Sequence, residues 1–158
     1  MMKNILLFVA FAVTVLCAFT GCYKQTVYPN SVVATIDTIA YNASGDDWVI
    51  FRVDTAAANQ NPQRVTITSK TKIYTPGTTT QPVINLTMPT ALGTYYFPGD
   101  ISATVVTSAT GSDGTAAKSG YITVHRTSGG RFEGTFSFTC VDGTTVTNGG
   151  FNGVLAYY

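Results

Sequence analysis

Two kinds of hydrophobic pattern divide this chain. Residues 5–19 are almost continuously apolar, broken only by Thr14. From residue 32 onward, β-branched and aromatic residues alternate with polar ones at a period of two, interrupted by Gly, Pro, Asn and Asp. Period-two alternation puts successive side chains on opposite faces of a strand, and the interruptions are turn residues. The pattern predicts strands at 32–36, 39–43, 47–54, 64–70, 82–88, 94–97, 101–108, 119–127, 131–141 and 144–156, with no helical stripe of useful length. So many short strands at close turn spacing predict an all-β fold, an antiparallel β-sandwich, with an up-and-down β-barrel as the alternative.

The C-terminal third also yields a register. In RFEGTFSFTCV, Phe132, Gly134, Phe136, Phe138 and Cys140 share one face, and Glu133, Thr135, Ser137 and Thr139 the other. Upstream, Ile122 and Val124 alternate with Tyr121, Thr123 and His125. Both apolar faces point inward only if even-numbered residues pair with even, which a three-residue loop at Ser128-Gly129-Gly130 achieves. Val124 then opposes Gly134, Ile122 opposes Phe136, and His125 opposes Glu133 on the solvent side. Asp142-Gly143 supplies the next turn.

The apolar run at 5–19 is shorter than the about 20 residues a membrane-spanning helix needs. Preceded by Lys3 and followed by small residues, it reads as an export signal. Phe19-Thr20-Gly21-Cys22 resembles the lipobox of bacterial lipoproteins, with Phe19 where Leu is usual. That resemblance implies a diacylglyceryl thioether on Cys22 and cleavage before it; the plainer reading is an ordinary signal peptide whose boundary carries a cysteine. The expected organisation is a lipoprotein signal peptide at 1–21, a lipidated N-terminus and tether at 22–31, and a single β-sandwich domain at 32–158. Of three cysteines, Cys17 leaves with the signal peptide and Cys22 is consumed by lipid, so Cys140 has no partner for an intramolecular disulfide. Stability must then come from a packed core, for which the 137 residues that follow position 21 suffice.

Charge narrows the partners. The chain carries 9 Lys+Arg and 8 Asp+Glu, and only 11% of its residues are charged. A near-neutral surface argues against nucleic acid as a partner. ATIDTIAYNA at 34–43 and GTFSFTCVDGTTVTNGGF at 134–151 resemble a β-rich family of small Bacteroidota lipoproteins of unknown function. In such proteins an A-x-I-D-G-x-x-aromatic hairpin follows the tether; here Asp37-Thr38 replaces Asp-Gly and Tyr41 is the aromatic. The resemblance covers about a fifth of the mature chain and implies an exported, lipid-anchored, all-β protein without assigning catalytic residues. Surface lipoproteins of this phylum usually carry acids just after the lipidated cysteine. Here Lys24 lies just after Cys22 and the first acid is Asp37, which favours an outer-membrane lipoprotein facing the periplasm, with surface exposure as the alternative.

Candidate chemistry is sparse. His125 and Glu133 could form an acid/base or metal-ligand couple, but catalysis or tight zinc binding needs a third group, and a solvated cross-strand pair explains them as well. Cys140, among phenylalanines, reads as a core thiol. The carboxylates Asp46, Asp47, Asp54, Asp100 and Glu133 could include a glycosidase pair, though no spacing selects one. Trp48 and Arg52, with the Tyr95-Tyr96 cluster, are candidate ligand-binding residues, because an exposed aromatic face stacks on the apolar face of a sugar; a core tryptophan is the plainer alternative. Asp37-Thr38-Ile39 and Asp54-Thr55-Ala56 resemble the Asp-Ser/Thr-apolar O-glycosylation sequon of exported Bacteroidota proteins, making Thr38 and Thr55 candidate glycosylation sites. No catalytic residue, metal site or cofactor is expected. The expected protein is a lipid-anchored envelope component, a non-catalytic binding or structural β-sandwich module. The membrane would be its partner through acyl chains on Cys22, and a glycan or an envelope protein its ligand. A small envelope hydrolase acting on glycans through a carboxylate pair is the alternative.

Overall fold

In the computed structural model the chain is described over residues 29–45, 48–54, 63–71, 81–107 and 114–157. Eleven strands follow in chain order: β1 (Ser31–Ile36), β2 (Ile39–Ser44), β3 (Val49–Val53), β4 (Arg64–Lys70), β5 (Val83–Pro89), β6 (Gly93–Phe97), β7 (Ser102–Val106), β8 (Thr115–Arg126), β9 (Arg131–Cys140), β10 (Thr145–Val154) and β11 (Ala156–Tyr157). Their hydrogen-bonded order is β11-β3-β4-β5-β7-β8-β9-β10-β1-β2, with β6 on β8. Every pairing is antiparallel except the short parallel one between β11 and β3. The path from β3 to β10 runs in chain order except that β6 leaves it for β8; β1 on β10 and β11 on β3 then bring the two ends of the chain together, so the antiparallel sheet is nearly closed into a barrel-like sandwich.

Strand β8 joins the two layers. Its first residues, Thr115 and Ala116, pair with Val105 and Thr104 of β7, whereas Gly120 to Val124 pair with β6. Between these segments the register against β9 shifts at Ala117–Ser119, and Gly120 takes φ +125°. A bulge increases local twist and turns a strand, and glycine adopts positive φ without steric cost. This corner lies in TAAKSG, which lacks clean alternation, so β8 begins at Thr115 rather than at 119 as the pattern predicts. At the other end, β10 belongs to the layer of β9 and β1, and one residue later β11 pairs with β3 of the opposite layer.

The core lies between the layers. Val49, Phe51 and Val53 of β3, Val65 and Ile67 of β4, and Ile84, Leu86 and Met88 of β5 face Phe132, Phe136 and Cys140 of β9 and Phe151 of β10. Phe132 and Phe151 stack at 5.4 Å, and Phe51 meets both from the opposite layer at 6.4 Å. Such aromatic pairs each add about 0.5–1.5 kcal/mol beyond the area they bury.

Polar ties fix the ends. Tyr41 of β2 is buried, and its hydroxyl donates to Ser69 Oγ at 2.9 Å, which in turn donates to the Ile84 carbonyl at 3.0 Å. Burial pushes the Tyr41 hydroxyl up to about 12. Asn30, expected in the tether, is already fastened to the body. Its Nδ2 donates to the Val49 carbonyl at 3.1 Å and its Oδ1 accepts from Val154 N at 2.8 Å, bridging β3 and β10. The expected signal peptide at 1–21, Cys22, Asp46, Asp47 and Thr55 lie outside the described residues.

Candidate functional site

Strand β6 pairs with β8 so that Tyr96 stands opposite Tyr121 and Thr94 opposite Thr123. On the far side of β8, Tyr121 faces Ser137 and Thr123 faces Thr135 of β9. Alternation sends all six outward, because their neighbours Ile122, Phe136 and Phe138 are buried. The result is two rows on three strands: Tyr96, Tyr121, Ser137, and one pleat away Thr94, Thr123, Thr135. Tyr96 is 67% exposed and Tyr121 39%, which makes them an open aromatic pair rather than core. Thr94 and Thr123 share a hydrogen bond at 3.0 Å, and His125 Nε2 lies 3.1 Å from Thr135 Oγ1 at the end of that row.

The four ligand-binding candidates do not form one patch. Tyr96 is outward, but adjacent Tyr95 turns inward, opposite Ile122, packs against the core and donates its hydroxyl to the Ala91 carbonyl at 2.9 Å. Arg52 is exposed on β3, in the other layer, opposite Thr66. Trp48 precedes β3 and is half-buried against the core; its N–H donates to the Gly45 carbonyl and its carbonyl accepts from Lys70 N at 2.8 Å. Tyr121 was not singled out by the sequence, although its alternation with Ile122 already placed it on the solvent side. The missing information was that β6, not a neighbour in sequence, lies beside it.

The His125–Glu133 couple expected from the hairpin does not form. Val124 opposes Gly134 and Ile122 opposes Phe136 as expected, but the register then shifts and Arg126, not His125, opposes Glu133. The connection is one residue longer than expected, spanning 127–130, with Gly129 and Gly130 at positive φ. The bulge gives the Glu133 carboxylate two guanidinium partners, Arg131 Nε at 3.0 Å and Arg126 Nη1 at 3.4 Å, in place of a single imidazole. Arg131 also reaches the Asn152 side chain. Glu133 is thus held as the centre of an ion-pair cluster and has no free imidazole to exchange protons with.

Other ionisable groups serve the turns. Asp37, at φ 54°, accepts from Thr145 N at 2.8 Å and from Thr145 Oγ1 at 3.1 Å, so it ties the β1–β2 turn to β10. Asp142 accepts from the Thr144 backbone N–H at 2.9 Å, which holds its carboxyl below the usual carboxylate range. Among the described residues no group of three or more His, Cys, Asp or Glu is placed to hold a metal ion. Thr38 is exposed at the β1–β2 turn.

Cys140 is fully buried, and burial first, then the nearby Asp142 and Asp37 charges, pushes its thiol up to about 11. A thiol this protonated is a poor nucleophile. An exposed-thiol reagent is expected to leave Cys140 untouched at neutral pH until denaturant is added; rapid labelling of the folded protein would contradict the inward placement. Because folding raises both the Cys140 and Tyr41 values, the unfolded chain loses these protons first. Stability is therefore complete below about pH 9 and declines as pH rises through about 11 to 12, which urea midpoints measured between pH 7 and 12 would read.

No protein-family model matches the chain, and neither a curated protein nor a solved structure does.

Proposed function

We propose that this chain is a lipid-anchored cell-envelope protein, held at the outer membrane by acyl chains on Cys22 and facing the periplasm, whose β-sandwich is a non-catalytic binding module. The observation that carries the binding half is the outward face of β6, β8 and β9. It presents two open aromatic rings among hydroxyls, while the adjacent carboxylate, Glu133, is consumed by Arg126 and Arg131. The anchoring half rests on Phe19-Thr20-Gly21-Cys22 and is supported by the way the body begins. Asn30 is already bonded to β3 and β10, so seven residues, 23–29, separate it from Cys22. Even fully extended they reach only about 25 Å, which keeps the sandwich close to the leaflet.

Intact mass of the protein recovered from membranes tests this reading. The expected species starts at Cys22 and carries the added mass of two or three acyl chains. A chain retaining residues 1–21, or one starting at an unmodified cysteine, would refute it. The same spectrum tests modification of Thr38 and Thr55: a glycosylated chain shows hexose-spaced additions that disappear in a Thr38→Ala, Thr55→Ala double variant.

A further inference from the structure

The open tyrosine pair has a more specific use. We infer that Tyr96 and Tyr121, with the Thr94–Thr123–Thr135 row beside them, form a carbohydrate platform that takes a neutral, polymeric glycan; this rests on the binding-module reading above.

Three properties of the face select this ligand. Tyr96 and Tyr121 are direct cross-strand neighbours, and such side chains start about 5 Å apart. Each ring stands open on its own strand and offers its face to the C–H face of a pyranose. The threonine row is displaced by one i to i+2 step along the strands, about 7 Å, close to the roughly 3 Å from a pyranose centre to its hydroxyl oxygens plus a hydrogen bond of about 3 Å. Thr94, Thr123 and Thr135 each bring a hydroxyl that both donates and accepts, matching the sugar's own. Beyond them on β10 lies Gly150, opposite Thr135, so no bulky side chain rises at that position and a chain of sugars has room to continue across the sheet.

Charge makes the same selection. The six side chains of the face itself are Tyr, Thr and Ser, with no acid or base among them, and the ions at its border, one carboxylate (Glu133) between two guanidiniums (Arg126 and Arg131), are engaged with one another. A second protein would need about 800 Å² on this side with an apolar centre. Two rings set among Thr94, Thr123, Thr135 and Ser137 supply too little apolar surface for that, but enough for a sugar. Weak single sites also suit an anchored protein, because many copies on one leaflet engage one polymer together.

The test uses the full-length protein extracted in non-ionic detergent and titrated calorimetrically with neutral hexasaccharides of glucose, mannose, xylose and N-acetylglucosamine. At least one is expected to bind, and Tyr96→Ala and Tyr121→Ala are each expected to weaken that binding by about tenfold or more. Both rings are open to solvent, so the thermal transition should stay in place. Tyr96→Phe and Tyr121→Phe keep the stacking face and should bind within about threefold of the parent. Binding to none of the sugars, or alanine variants that bind like the parent, overturns the platform. So does a self-associated species that Tyr96→Ala disperses in sedimentation, which would assign the face to a second copy. Chromatography of the sugars after incubation separates the two readings: shortened products would overturn the non-catalytic module, whereas intact sugars without binding would remove only the platform.

Discussion

Gly134→Ala is expected to destabilise the fold by about 3 kcal/mol, a large part of the 5–15 kcal/mol that holds a domain of this size together. Gly134 sits in the middle of β9, opposite Val124 on one side and Phe151 on the other. A Cβ there would collide with the Thr123 carbonyl oxygen and with the Phe151 ring. Neither neighbour can yield cheaply. The carbonyl belongs to a strand paired on both sides, and the ring is stacked between Phe132 at 5.4 Å and Phe136 at 6.4 Å. Moving Phe151 would also disturb Phe51, its contact from the opposite layer. Gly150→Ala is the matched control. It lies one strand away, and its added methyl would meet Val33 Cγ2 at 3.5 Å, an ordinary contact. Urea midpoints should fall well below the parent for Gly134→Ala and change by no more than about 0.5 kcal/mol for Gly150→Ala. Equal midpoints for the two would mean that the phenylalanine stack is not the rigid centre of the core.

The same residues show what a period-two pattern can and cannot convey. Alternation in 131–141 put Phe132, Gly134, Phe136, Phe138 and Cys140 on one face, and all five are buried. It also set the even-with-even register that pairs Val124 with Gly134 and Ile122 with Phe136. Those inferences needed only local geometry and one hairpin. They failed where a bulge intervened, because a bulge changes parity without leaving a mark in the hydrophobic pattern. At His125 the shift moved Glu133 from an imidazole to a guanidinium, and at Ala117–Ser119 it let β8 change layers. The tyrosine pair was out of reach for another reason. That Tyr95 and Tyr96 must point to opposite faces follows from alternation alone, but which of them is solvated depends on which strand lies alongside. β6 joins β8 across an intervening strand, a choice made by the whole core rather than by any segment near residue 96. Trp48 follows the plainer of its two readings: it sits just ahead of a strand with a clear inward face, where it covers the edge of the core instead of extending the outward face of Ile50 and Arg52.

Cys22→Ala is expected to shift the protein almost completely from the membrane pellet to the soluble fraction. The size of the effect follows from how acyl anchors work. Each buried methylene contributes about 0.8 kcal/mol, one chain holds a protein only marginally, and two or more hold it stably, so the attachment is lost with the thiol that carries them. Nothing described in the body offers a helical substitute: among those residues no helix is long and apolar enough to cross a membrane. The exposed apolar side chains, such as Ile39, Leu92, Val141 and Val154, are scattered over different strands and turns instead of forming one greasy face. Cys17→Ala supplies the contrast, since it also removes an N-terminal thiol but from the segment expected to be cleaved away, and it should leave the protein in the pellet. Folding need not change in either variant, because Asn30 fastens the start of the sandwich downstream of both positions. A Cys22→Ala protein that stays in the pellet through a carbonate wash would place the anchor elsewhere in the chain. A Cys17→Ala protein that is released would mean that the upstream cysteine, not residue 22, carries the lipid.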